Sequence, residues 1–208
     1  MLALLRRRAR ILPRLARDTR GVTLVEFAII AGPLCVLLLG GLDLGYQSYL
    51  RAMLQGALND VARSGSMEAP ELGCEGETVE DQVRCAIETK SDVVARNATY
   101  RIVTRNFYEF SGVGRSEKLV TDHNNNGVYD TGDCWEDLNE NGRYDSNAGR
   151  DGMGGADDVA FYEVTLTMPR LFPMAGLLGV SDEYNITARA AVRNQPYARQ
   201  RIPPTVCG

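Results

Sequence analysis

The sequence predicts an α+β protein: a long N-terminal transmembrane helix packed with a second helix against a small, mostly antiparallel sheet, with a polar loop insertion. Three observations predict it. An apolar run from Val22 to Leu42 passes into an amphipathic helical pattern, later segments are rich in β-branched and aromatic residues, and an Asp/Asn/Gly motif repeats between those segments.

The N-terminal region is set apart by charge. Residues 1–21 hold seven arginines against Asp18 alone, a net charge of +6, which leaves −10 for the rest of a chain whose net charge is −4. From Val22 to Leu42 the ionisable side chains are Glu26 and Cys35. These 21 residues, at about 1.5 Å each, give a helix of roughly 31 Å, the thickness of a bilayer's hydrocarbon layer. A basic flank before the span keeps the N-terminus cytoplasmic and sends the acidic remainder outward. The expected organisation is a basic leader (1–21), a transmembrane segment (22–42) and an exported domain (43–208). Glu26 inside this span is costly, about 2.5–3.5 kcal/mol at a membrane centre on insertion scales, and so marks a functional position.

The helical pattern continues past the span. Leu50, Met53, Leu54, Ala57, Leu58, Val61 and Ala62 recur at three- and four-residue intervals, which predicts one continuous helix from about Val22 to Ser64, locally kinked at Pro33. A second helix begins at the capping pair Thr78 and Asp81 and buries Val83, Ala86, Ile87, Val93 and Val94 up to about Arg96. Strands follow at Thr99–Phe110, Val159–Met168 and Tyr184–Val192, with a short one at Lys118–Thr121. In the Val159 strand, alternation puts Ala160, Tyr162, Val164 and Leu166 on the buried side and leaves Val159, Phe161, Glu163 and Thr165 on the other. Of five cysteines, Cys35 lies in the span, and the four beyond it suit two disulfides in an oxidising compartment. Three connectivities are open, and Cys74 with Cys85 and Cys134 with Cys207 is the favoured one.

Residues 122–130 (DHNNNGVYD) and 137–145 (DLNENGRYD) share six identities in nine. They follow the calcium-loop pattern D-x-[DN]-x-[DN]-G-x5-E, in which alternate side-chain oxygens and one carbonyl converge on a cation and glycine permits the sharp turn. The first loop supplies Asp122, Asn124, Asn126, the Val128 carbonyl, Asp130 and, at position twelve, Asp133. The second supplies Asp137, Asn139, Asn141, the Arg143 carbonyl and Asp145, but its twelfth position is Ala148, so Asp151, Asp157 or Asp158 is expected to close it. One Ca2+, or two, would pin residues 122–158. No helices flank the loops, so the expected role is structural, and the Gly-rich run after them reads as a flexible acidic extension.

An enzyme is not expected. His123 is the one histidine and occupies a non-ligand position of the first loop, and no nucleophile elbow, phosphate-binding loop or Cys-x-x-Cys pair is present. No nucleic-acid partner is expected either.

Gly21 followed by Val22, Thr23, Leu24, Val25, Glu26 and Phe27 resembles the type IV prepilin processing site in its Tad (tight adherence, or Flp) form. The chain as a whole resembles a TadE-like minor pseudopilin, with Ala156–Val164 and Thr187–Tyr197 matching later parts of that pattern. The resemblance implies cleavage by a prepilin peptidase after Gly21 and assembly with other pilins or pseudopilins through the apolar helix. It further implies residence in a bacterial inner membrane with a periplasmic C-terminal domain, and incorporation into a pilus. Glu26, fifth in the processed chain, would pair with the Val22 ammonium of a neighbouring subunit. The alternatives are a membrane-anchored, calcium-dependent binding module and a type II secretion pseudopilin.

Overall fold

The computed structural model describes residues 21–69, 72–172, 176 and 179–208; the expected leader, residues 1–20, lies outside the described residues. The chain divides into a unit ending at Gly45 and a second unit, Tyr46–Gly208. Helix α1, Val22–Gly65, is continuous through Pro33, in agreement with the expected single helix. It starts where Gly21 O accepts the first helical bond, from Val25 N at 3.1 Å. Within the first unit its apolar side chains face outward: Leu24, Phe27 and Leu37 are each more than two-thirds exposed. Among the described residues it is the one helix long and apolar enough to cross a membrane.

In the second unit the same helix acquires a buried face. Leu50, Leu54, Leu58 and Val61, spaced by four, four and three residues, are all buried and enter one core with Val83, Ala86 and Ile87 of α2 (Val79–Asp92). Thr78 caps α2, its hydroxyl accepting from Asp81 N at 3.1 Å. The helix stops four residues short of the expected Arg96. Ser91 O accepts from both Val94 N and Ala95 N, and Asn97 then takes a left-handed φ of 63°, a conformation asparagine tolerates and most residues do not.

The rest of the core comes from a four-stranded antiparallel sheet in the order β4-β1-β5-β6, formed by β1 (Thr99–Phe107), β4 (Arg150–Asp151), β5 (Val159–Pro169) and β6 (Glu183–Arg193). Strand β1 ends three residues before the expected Phe110, where the chain enters a single 3-10 turn. Along β5, Ala160, Tyr162, Val164 and Leu166 are buried as alternation requires, opposite Val192, Ala190, Ala188 and Ile186 of β6. Val159 departs from the expected pattern: it is fully buried at the strand end, in register with the buried Phe107.

Of a second sheet, only the short strand at Lys118–Thr121 was expected, and it is present as Leu119–Thr121. The sheet has the order β2-β3-β7, from β2 (Leu119–Thr121), β3 (Cys134–Glu136) and β7 (Thr205–Cys207). Strands β3 and β7, three residues each, carry too little periodicity to be seen, and they are joined by antiparallel pairing and by a covalent bond. Cys134 pairs with Cys207 in register and is disulfide-bonded to it, and Cys74 is bonded to Cys85, the favoured connectivity.

The end of α1 meets β5 closely. A Cβ at Gly65 would lie 3.1 Å from Met153 Cε and 3.2 Å from the Tyr162 hydroxyl oxygen, and that hydroxyl is buried without a hydrogen-bond partner. Burial also raises its pKa above the ordinary tyrosine value. Leu58→Ala should therefore cost about 2–5 kcal/mol, as large-to-small changes in a packed core do. Tyr162→Phe removes an unsatisfied buried hydroxyl and should be neutral or stabilising, within about 1 kcal/mol. Denaturant unfolding of the full chain in detergent measures both, and a Tyr162→Phe loss as large as that of Leu58→Ala would contradict the packing described.

Candidate functional site

Two regions carry the sequence motifs. In the first, Gly21 occupies the turn before α1, Val22 is its first residue, and Glu26 and Phe27 are exposed on its opening turns.

The second region is the repeated loop, and its two copies fold alike. Gly127 and Gly142, sixth in each, have φ of 75° and 74°, while Asn125 and Glu140, fourth in each, have φ of 56° and 59°. In the first loop the Asp122 carboxylate accepts from Gly127 N at 2.7 Å and Asn126 N at 3.3 Å, and in the second Asp137 accepts from Gly142 N at 2.8 Å and Asn141 N at 3.2 Å. Asn126 Oδ1 accepts from Val128 N at 2.7 Å, and Asn141 Oδ1 from Arg143 N at 2.8 Å. Asp130 Oδ2 receives the side-chain amides of Asn124 and Asn126 at 2.8 and 2.7 Å. Asp145 Oδ2 receives those of Asn139 and Asn141 at 2.7 and 2.5 Å. The sequence-predicted side chains are thus brought together within each loop. Among the described residues no group of three or more His, Cys, Asp or Glu side chains forms a metal-holding cluster.

Asp133 completes the first loop. Its Oδ1 accepts from His123 N at 3.0 Å and its Oδ2 from Asp130 N at 2.9 Å, the amides of positions two and nine. These two amides hold its carboxyl below the usual carboxylate range.

The corresponding place in the second loop is filled by a residue that the sequence pattern does not indicate. Glu117 Oε1 accepts from Leu138 N at 2.8 Å and Oε2 from Asp145 N at 3.1 Å, again the amides of positions two and nine. The carboxylates expected there lie elsewhere: Asp157 pairs with Arg193 at 3.8 Å, Asp158 accepts from Gly155 N and the Gln200 side chain, and Asp151 sits in β4 opposite Arg105. Glu117 reaches the loop because the chain before β2 runs beside it, with Glu117 N donating to Asp145 O and Ala148 N to Arg115 O, both at 3.0 Å. Burial raises the Glu117 pKa, the neighbouring Asp137 carboxylate adds to the rise, and the amide hydrogen bonds oppose it. A carboxylate closing a loop from twenty residues upstream leaves no spacing signal in the sequence.

The loops also face one another. Tyr129 and Tyr144, eighth in each copy, stack with ring centroids 4.5 Å apart and planes 11° from parallel, and the buried Trp135 meets both rings edge-on at 5.2 and 6.1 Å. Arg201 donates to Leu138 O at 2.7 Å and to Glu140.

The Gly-rich segment that follows is tethered, not a flexible extension. The Asn106 side chain donates to the carbonyls of Arg150, Asp151 and Gly152, and that of Asn194 to Met153 O and Gly155 O. Two buried asparagines thus replace the packing that glycines cannot provide.

A Cβ at Gly127 or Gly142 would meet nothing within 4 Å, so the backbone conformation alone resists substitution there. Each Gly→Ala change should cost about 1–2 kcal/mol, the penalty for a left-handed L-residue, in a thermal melt of the full chain. An unchanged melting temperature would contradict the turn geometry.

No curated protein and no solved structure matches the chain. Residues 21–63 match the family described as TadE-like protein, a stretch that begins at Gly21 and ends two residues before α1 does. The match covers 43 of the 208 residues, and the paired loops lie outside it.

Proposed function

We propose that the chain is a TadE-like minor pseudopilin or assembly component of a tight-adherence pilus, processed after Gly21 and assembled through α1. The observation that carries this reading is the coincidence of the family match with one apolar helix starting next to Gly21. The outward-facing apolar side chains of residues 22–42 suit first the inner membrane and then the helices of neighbouring pilins. Cleavage by a prepilin peptidase would remove the +6 leader and leave Val22 as an ammonium about one helical turn from Glu26. In a low-dielectric helix bundle that carboxylate can pair with the N-terminus of an adjacent subunit, where a close opposite charge offsets its desolvation.

The paired loops fit a structural calcium role in the exported domain. Their carboxylates and amide oxygens follow the ligand grid of a calcium loop, and their backbone amides already hold Asp122, Asp133 and Asp137 in place, as outer hydrogen bonds orient metal ligands. Because the loops lie outside the family match, a membrane-anchored calcium-dependent binding module is the second reading.

Mass spectrometry of membrane-extracted protein from cells with the peptidase should find Val22 at the N-terminus; an intact Met1 would overturn the processing step. Glu26→Leu should insert and be cleaved normally yet fail to co-purify with its pilin partners, and unaltered co-purification would refute the docking role. Chelation should lower the melting temperature and open residues 122–158 to proteolysis, and an identical melt and digest in chelator would remove calcium from the account.

A further inference from the structure

The repeated loops hold the two Asn-Gly pairs of the sequence, Asn126-Gly127 and Asn141-Gly142, and all four residues are exposed. Asparagine followed by glycine is chemically labile, because no Cβ hinders the approach of the next backbone nitrogen to the side-chain amide carbon. We propose that Asn126 and Asn141 are latent deamidation sites, kept unreactive in the closed loops by Asp122 and Asp137 and released when a loop opens. No bound ion is required.

The reaction is internal apart from water. The Gly127 backbone nitrogen gives up its proton to solvent base and attacks Asn126 Cγ. The new C–N bond closes a succinimide ring, and the side-chain nitrogen takes up a proton and leaves as ammonia. Water then opens the ring at either carbonyl, giving aspartate or isoaspartate. The net change converts an amide and a water into a carboxylic acid and an ammonia, with no oxidant, reductant or cofactor.

The folded loop opposes the first of these steps on both sides. Gly127 N donates to the Asp122 carboxylate at 2.7 Å, and an adjacent negative charge disfavours loss of that proton. The amide under attack is pinned at both ends: Asn126 Oδ1 accepts from Val128 N at 2.7 Å and Nδ2 donates to Asp130 Oδ2 at 2.7 Å. Held so, its plane cannot turn to present the carbon to Gly127 N. The second loop repeats all three contacts. Gly142 N donates to Asp137 at 2.8 Å, Asn141 Oδ1 accepts from Arg143 N at 2.8 Å, and Asn141 Nδ2 donates to Asp145 at 2.5 Å.

The product would not refit the loop. Conversion replaces the Asn126 Nδ2 donor by a carboxylate oxygen facing Asp130 Oδ2, and two like charges at that spacing repel. Isoaspartate also lengthens the backbone immediately before Gly127, whose φ is 75°. An opening that lasts long enough for reaction is therefore recorded irreversibly, and Asp122 and Asp137 act as positioning residues that set how seldom it happens.

Incubation of the full chain in detergent, in mildly alkaline buffer with chelator, followed by peptide mapping by mass spectrometry, tests the assignment. Asn126 and Asn141 should deamidate at least about tenfold more slowly in the folded chain than in the same chain held unfolded in denaturant, because reaction is confined to the open fraction. Equal rates in the two would overturn the protection, and that comparison needs no variant. Asp122→Ala should speed reaction at Asn126 by at least about tenfold and leave Asn141 as slow as before. An unchanged rate at Asn126, or equal acceleration at both asparagines, would overturn the role of Asp122. Asn126→Asp should leave residues 122–133 more readily cleaved by protease than in the unmodified chain, and identical digestion would overturn the one-way character of the change.

Discussion

Burial of like charges is the constraint on which the loop region of this protein turns. Glu117, Asp133 and Asp137 are almost wholly removed from water, within a stretch whose buried apolar side chains are few, chiefly Trp135 and Leu138. Apolar burial on that scale is small against the conformational entropy of ordering some thirty residues. The region is held instead by backbone amides aimed at carboxylates, by the Cys134–Cys207 bond between β3 and β7, and by the stacked Tyr129 and Tyr144. In our reading calcium supplies the positive charge that these amides cannot.

Helix α1 and the core it enters obey a different constraint. Helix α1 keeps one secondary structure while its surroundings change: its first half presents apolar side chains outward, and after Tyr46 a leucine face turns into a core shared with α2 and the four-stranded sheet. A segment of that kind can exchange lipid for helix neighbours without refolding, because neither environment asks its backbone for new hydrogen bonds. The TadE-like match falls on this helix and stops with it. The proposed anchoring and assembly therefore rest on α1, while the sheet and the paired loops lie outside the matched residues.

Long-period features of the fold were legible in the sequence because each residue reports on its neighbours at a fixed spacing. Leu50, Leu54 and Leu58 announced the buried helix face, Tyr162, Val164 and Leu166 the buried sheet face, and the repeated Asp/Asn/Gly grid the two loops. Features made by distant segments left no such mark. Glu117 meets Asp145 across 28 residues, and Asn106 and Asn194 hold the Gly-rich run from two different strands or their ends, whereas the cysteines alone marked the meeting of β3 and β7. Asp151, Asp157 and Asp158 have other partners, and the expectation that one of them closes the second loop looked downstream, whereas two backbone hydrogen bonds, Glu117 N to Asp145 O and Ala148 N to Arg115 O, bring a carboxylate from upstream.

Hydrogen exchange of the full chain with and without calcium tests the central claim most directly. The amides that meet the buried carboxylates, those of His123, Asp130, Leu138 and Asp145, are the ones an ion would lock in place. The account predicts that calcium slows exchange across 117–148 while leaving α2 and β5 unchanged. Equal exchange across that stretch in calcium and in chelator would contradict it.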